Sequence, residues 1–168
     1  MTEKLVYLDS SAIVKRYLEE KGSRGVDYLY RQAELGNLVL GYSVWNVGEV
    51  IGVLDRYAAR GLLDEGRLVD VLGLYYGENL KLVKLGALRV EPMGHGVLRE
   101  AWRLLLKHHI YVADALQLST AKRLEAACLV SADGLLIEKA EPEGLQAVNV
   151  EEGLEAIKEK VGLSPESE

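Results

Sequence analysis

Five short, mostly apolar runs divide this chain, and a stretch with helical periodicity follows all but the fourth of them. They lie at about Lys4 to Leu8, Leu38 to Leu40, Ala87 to Glu91, Ala127 to Ser131 and Leu145 to Val150. An uninterrupted apolar run of this length bounded by turn residues reads as a strand buried on both faces. Strands that alternate with helices imply a parallel sheet covered on both sides, hence a three-layer α/β domain. Between the strands, Ser10 or Ser11 is positioned to cap a helix running to Glu20. Ser43 is positioned to cap a third helix that Gly61 closes. Asp64 opens a long helical stretch through Leu68, Val71, Leu72 and Tyr75, with Gly77 as a candidate break. Further helices are expected from Gly96 to Lys107, from Val112 to Leu124 and from Glu151 to Val161. Residues 1–161 are expected to form one domain, with 162–168 as a frayed tail.

With 168 residues and 49% hydrophobic content, one core is affordable and a disordered chain is excluded. A single cysteine forms no internal disulfide, and no Cys/His spacing suits zinc, so a reducing cytoplasm fits best. No secretory leader is recognisable, and the longest uncharged stretch, Leu35 to Gly48, is too short to span a bilayer. The net charge of -6 argues against nucleic-acid binding through a broad basic surface. It leaves room for an enzyme that meets nucleic acid through metals, because bound divalent ions reverse the local charge.

Four acids interrupt otherwise apolar surroundings. Asp9 follows the first strand and Asp133 the fourth, so both belong at the carboxyl edge of the sheet, where open α/β folds bind ligands. Glu49 stands in the uncharged segment Val44 to Gly52, and Asp114 in the first turn of its helix. Two carboxylates about 4 Å apart repel by roughly 4 kcal/mol at an effective dielectric near 20. A cation between them removes that cost, and Mg2+ or Mn2+ prefers such oxygen ligands. Each acid also has an ordinary reading: Asp9 as a helix cap, Asp114 as a partner of the helix dipole, Asp133-Gly134 as a turn, and Glu49 as a solvated helix residue.

Taken together, four segments resemble the PIN-domain ribonucleases, and within them the VapC-type toxins of prokaryotic toxin–antitoxin pairs. They are Val6-Tyr7-Leu8-Asp9-Ser10-Ser11-Ala12, Glu49 in the third helix, Tyr111-Val112-Ala113-Asp114-Ala115-Leu116-Gln117-Leu118-Ser119-Thr120-Ala121, and Leu129-Val130-Ser131-Ala132-Asp133. The third is the most specific. The resemblance implies a PIN-like domain with a central parallel sheet of about five strands. It implies catalytic, metal-holding roles for Asp9, Glu49, Asp114 and Asp133, with Mg2+ (or Mn2+) as cofactor. Ser10 and Ser131 would hydrogen-bond and orient those acids. It further implies RNA as substrate, a small antitoxin protein as partner and a homodimer. Ser131 stands where many relatives have Thr, and Asp64 to Leu85 is long for a compact toxin.

Lys15, Arg16, Lys122 and Arg123 are candidates for RNA phosphates beside the site, although a solvated helix role is the stronger expectation. His108-His109 lacks metal spacing and suits a helix end, and Cys128 reads as a buried strand residue. Trp45, Trp102 and the tyrosines are expected in the core or at a subunit contact rather than as base-stacking platforms. The competing reading from another class is a non-catalytic RNA- or protein-interaction module on the same frame. A phosphotransferase is disfavoured because Ser11 occupies the place, two residues after Asp9, where a second acid is commonly found.

Overall fold

The structure, a computed structural model, describes residues 4–163. The strands are β1 (Leu5–Leu8), β2 (Val39–Ser43), β3 (Leu88–Glu91), β4 (Cys128–Ser131) and β5 (Ala147–Asn149). They form one sheet of order β3-β2-β1-β4-β5 with every pairing parallel. Every residue of β1, β2 and β4 is buried, which is why these runs are apolar without alternation. The edge strand β3 can carry Arg89 and Glu91 because it is open on one side. Among the described residues the helices flanking the sheet are α1 (Ser10–Val14), α2 (Ser23–Glu34), α3 (Val44–Ala59), α4 (Glu65–Lys84), α5 (His95–His108), α6 (Val112–Arg123), α7 (Gly134–Ala140) and α8 (Leu154–Val161). The result is a three-layer α/β domain.

The strand order places the site. The chain winds outward from β1 through β2 to β3, then returns to the other side of β1 for β4 and β5. Such a reversal leaves a crevice outside the carboxyl ends of the two strands at the switch, here β1 and β4. Their ends are level: Leu8 pairs with Val130, and the Asp9 amide donates to the Val130 carbonyl at 3.1 Å. Asp9 and the Ser131–Asp133 segment therefore leave the sheet side by side.

Several local features differ from the sequence expectations. Of the cap candidates the sequence offers, Asp9 and not Ser10 or Ser11 caps α1, accepting from the Ser11 and Ala12 amides. The first helix ends at Val14 rather than Glu20. Tighter turns follow it and carry Lys15 into a buried position between Glu20 and Glu151, at 3.2 and 3.0 Å. α4 runs unbroken through Gly77. Asp133-Gly134 is not a free turn: Asp133 caps α7, a helix the Asp-Gly signal concealed. Of the α4 residues that mark its helical stretch in the sequence, Val71 and Tyr75 are buried and Leu68 and Leu72 pack against the core. The exposed apolar positions of α4 are Val69, Leu74, Tyr76, Leu80 and Val83. Of the expected tail, Gly162 caps α8, Leu163 packs on the core, and 164–168 lie outside the described residues. Among the described residues no helix is long and apolar enough to cross a membrane.

Candidate active site

The cleft at the switch point has a volume of about 520 Å³, and Asp9, Glu49, Asp114 and Asp133 all line it. They come from four elements: the end of β1, the middle of α3, the first turn of α6 and the cap of α7. None of the four enters an ion pair among the described residues.

Asp9 is buried and tightly held. Its Oδ1 accepts from the Ser11 hydroxyl and amide, both at 2.6 Å, and from the Ala12 amide at 3.2 Å. Its Oδ2 accepts from the Ser131 hydroxyl at 2.6 Å. Ser131 in turn accepts from the Asp133 amide at 2.8 Å, and Ser11 from the Ala132 amide at 2.8 Å. Two serines thus couple the ends of β1 and β4. Burial raises the Asp9 carboxyl above its ordinary range, against the opposing pull of the Ser11 and Ser131 hydrogen bonds.

Glu49 is held from the opposite side. Its Oε2 accepts from the Ser10 hydroxyl and from Gln117 Nε2 at 2.8 Å. Behind these donors lies a buried amide pair: Asn46 Nδ2 donates to Ser10 Oγ at 2.9 Å and to Gln117 Oε1 at 2.8 Å. The Tyr7 hydroxyl donates to Gln117 Oε1 at 2.6 Å and stands 3.0 Å from Asn46 Oδ1. Asn46 is itself locked by a capping box with Ser43 at the start of α3. Tyr7, Ser10, Asn46 and Gln117 each have partners within this network, as buried polar groups require. The sequence reading missed Tyr7, Asn46 and Gln117. The Ser43-x-x-Asn46 spacing was the one available sign, since a polar residue at the third position after a serine cap marks a capping box.

Asp114 reports how the acids feel one another. Burial, then the charges of Asp133, Asp9 and Glu49, push its carboxyl up to about 6. Asp133 is exposed, and its Oδ1 accepts from the Leu135 and Leu136 amides at 2.8 and 3.2 Å. Among the described residues no three acidic, histidine or cysteine side chains converge on one metal-sized point. The donor set nonetheless suits a hard divalent cation: carboxylate oxygens share one cleft with no basic group paired to them.

The cations proposed beside the site are engaged elsewhere. Lys15 pairs with Glu20 and Glu151, Arg16 with Glu78 and Asp27, Lys122 with Glu100 and Glu143, and Arg123 with Glu91. The basic residue lining the cleft is Arg56. Trp45 is not core: it is 42% exposed and lines the same cleft. His108 is not left to solvent, since its Nε2 lies 2.7 Å from Glu143. Cys128 is buried in β4, and burial raises its thiol to about 11, which leaves it inert as a nucleophile.

The PIN-domain family profile matches residues 6–142. A search of the curated proteins gives no significant match. Among solved structures, the fold is similar to that of PAE2754 from Pyrobaculum aerophilum (TM-score 0.60, 17% identity, covering 94% of this chain and 99% of that one). It is also similar to VapBC2 from Rickettsia felis, solved bound to a promoter DNA fragment (TM-score 0.60, 15% identity, 86% and 98% covered). A third similar structure is VapC20 from Mycobacterium tuberculosis, described as a toxin that cleaves the sarcin-ricin loop (TM-score 0.57, 16% identity, 79% and 93% covered). The profile spans every element from β1 to α7, the elements that carry all four cleft acids, and the chain belongs to the PIN-domain family.

Proposed function

We propose that this protein is a divalent-metal-dependent endoribonuclease, the cytoplasmic, homodimeric toxin of a pair whose antitoxin is a small protein. The observation that carries this reading is the meeting of four carboxylates from distant parts of the chain in one cleft without a basic partner. Family membership and the fold shared with VapC proteins support it. Asp9, Asp114, Asp133 and Glu49 would hold Mg2+ or Mn2+, which supplies activation of a water and stabilisation of charge on the leaving oxygen.

The chain's own residues prepare that site. Ser11, Ser131 and the Ala12 amide fix the Asp9 carboxylate in one rotamer. Ser10 and Gln117 do the same for Glu49, backed by Asn46 and Tyr7. Asp114 retains its proton to about pH 6, so uptake of a cation releases that proton and strengthens as pH rises through this range.

A non-catalytic interaction module on the same fold is the second reading, favoured by the spacing of the acids, which do not converge on one point. Cleavage of structured RNA with Mg2+ or Mn2+ separates the two. The parent protein cleaves and Asp114→Asn, at matched folding, does not. Equal activity in both removes the nuclease reading.

A further inference from the structure

One face of α3 forms a wall of the acidic cleft. Trp45, Gly48, Glu49, Gly52, Val53 and Arg56 all line it, at spacings that repeat once per helical turn. Glu49 belongs to the acid set, but its neighbours on this face have no part in holding a metal. A Cβ at Gly48 would meet nothing within 4 Å, and one at Gly52 would meet Arg56 Nη1 at 3.5 Å, an ordinary contact. Glycine weakens a helix interior relative to alanine, and nothing in the fold packs against these two positions to require it. Their missing side chains leave a trough in the wall. Trp45, 42% exposed, sits toward the N-terminal end of this face, and Arg56 toward the other.

Arg56 is exposed and enters no ion pair among the described residues, whereas Lys15 and Arg16 after α1 and Lys122 and Arg123 in α6 are paired with carboxylates. In a chain of net charge -6, a phosphodiester approaching the acids meets repulsion except where such a free cation stands. An aromatic face with a nearby guanidinium is the combination that holds an unpaired base and its phosphate. A duplex keeps its base faces stacked and cannot present one to Trp45. We propose that the Trp45–Arg56 face of α3 is the substrate-recognition subsite: an unpaired base of RNA, next to the scissile phosphate, lies in the glycine trough against Trp45, and Arg56 takes an adjacent phosphate. This inference rests on the nuclease reading and adds to it the residues of the cleft that take the RNA.

The test is equilibrium binding of a fluorescent single-stranded RNA oligonucleotide to the full chain carrying Asp114→Asn, with Mg2+ present, by anisotropy. Adding Trp45→Ala or Gly48→Leu to that background weakens binding by about tenfold or more, the scale of one lost base stack. Leucine is a better helix former than glycine and its Cβ meets nothing within 4 Å at position 48, so this variant is expected to fold; urea midpoints verify it. Adding Arg56→Gln lowers the magnitude of the slope of log affinity against log salt by about 0.7, one phosphate contact on a single strand. Trp102→Ala, also an exposed tryptophan but outside the cleft lining, leaves the affinity unchanged. Unchanged affinity in all three cleft variants, preference for a duplex of the same sequence, or no oligonucleotide binding overturns the subsite; the first of these leaves the trough to a polypeptide. If Asp114→Asn abolishes cleavage while the cleft variants bind normally, the subsite fails and the nuclease reading stands.

Discussion

Removing one acid from the cleft should stabilise the metal-free protein, an unusual outcome for a substitution at a tightly constrained site. Asp114 is the acid to change, because burial and the charges of Asp133, Asp9 and Glu49 lift its carboxyl from 3.8 to about 6. The folded chain therefore binds this proton more tightly than the unfolded chain does. Its stability falls as pH rises through the window from 3.8 to about 6, and the full penalty is present above it. The shift sets a ceiling of about 3 kcal/mol at neutral pH. Asp114 is partly exposed, and solvent screening reduces the expected penalty to about 1–2 kcal/mol. Asp114→Asn keeps the shape and removes the charge. In urea denaturation with a chelator, the variant should exceed the parent by that amount near neutral pH, or by roughly 2–8 °C in a thermal scan. The gap should close as pH falls below the ordinary carboxylate range. Saturating Mn2+ should reverse the order, since an ion at a hundred times its dissociation constant stabilises the protein that binds it by about 2.7 kcal/mol. A variant no more stable than the parent in chelator at neutral pH, or a gap independent of pH, would refute the claim that these acids repel one another in the cleft.

Tyr7→Phe removes one of the two donors to Gln117 Oε1, with Asn46 Nδ2 remaining, and should cost about 0.5–1.5 kcal/mol in urea denaturation; a neutral result would mean that this hydrogen bond adds nothing to the network behind Glu49. Ser131→Ala removes a donor that holds the Asp9 carboxyl down, so the acid limb of the pH–activity profile should move to higher pH, and an unmoved limb counts against this positioning role. Glu143 is held at about 2: burial works to raise its carboxyl, but hydrogen bonds from Lys107, Lys122 and His108 prevail. The stability this contributes is present above pH 4.5 and fades as pH falls toward 2. The stability difference between the parent and Glu143→Gln should therefore shrink across that window in acid titrations of the urea midpoint. Leu54→Ala on the buried face of α3 should cost about 2–5 kcal/mol by thermal or chemical denaturation, since Leu54 is fully buried.

The sheet was legible because its central strands are apolar on both faces, and uninterrupted runs such as Leu5–Leu8 have few other uses. The four acids stood out for the same reason: a charge is conspicuous in an apolar neighbourhood. What stayed hidden depends on partners far along the chain. Gln117 touches Glu49 across 68 positions and Tyr7 across 110, and no local pattern encodes such a contact. Lys15 and Arg16 read as free cations because Glu151 and Glu78 lie far from them in sequence. α7 escaped because Asp-Gly signals a turn and a helix cap equally well, and only tertiary packing of Leu136 and Ala140 decides between them. Residue type alone suggests the core or a subunit contact for Trp45, yet α3 turns it into the cleft.

Calorimetric titration of Mn2+ into the purified chain tests the shared cation site most directly. Saturable binding to the parent, with proton uptake or release that varies between buffers of different ionisation enthalpy, and its loss in Asp9→Asn and Asp114→Asn at matched folding, is the expected result. A parent that binds no Mn2+, or variants that bind it as tightly as the parent, would contradict a common metal role for these carboxylates.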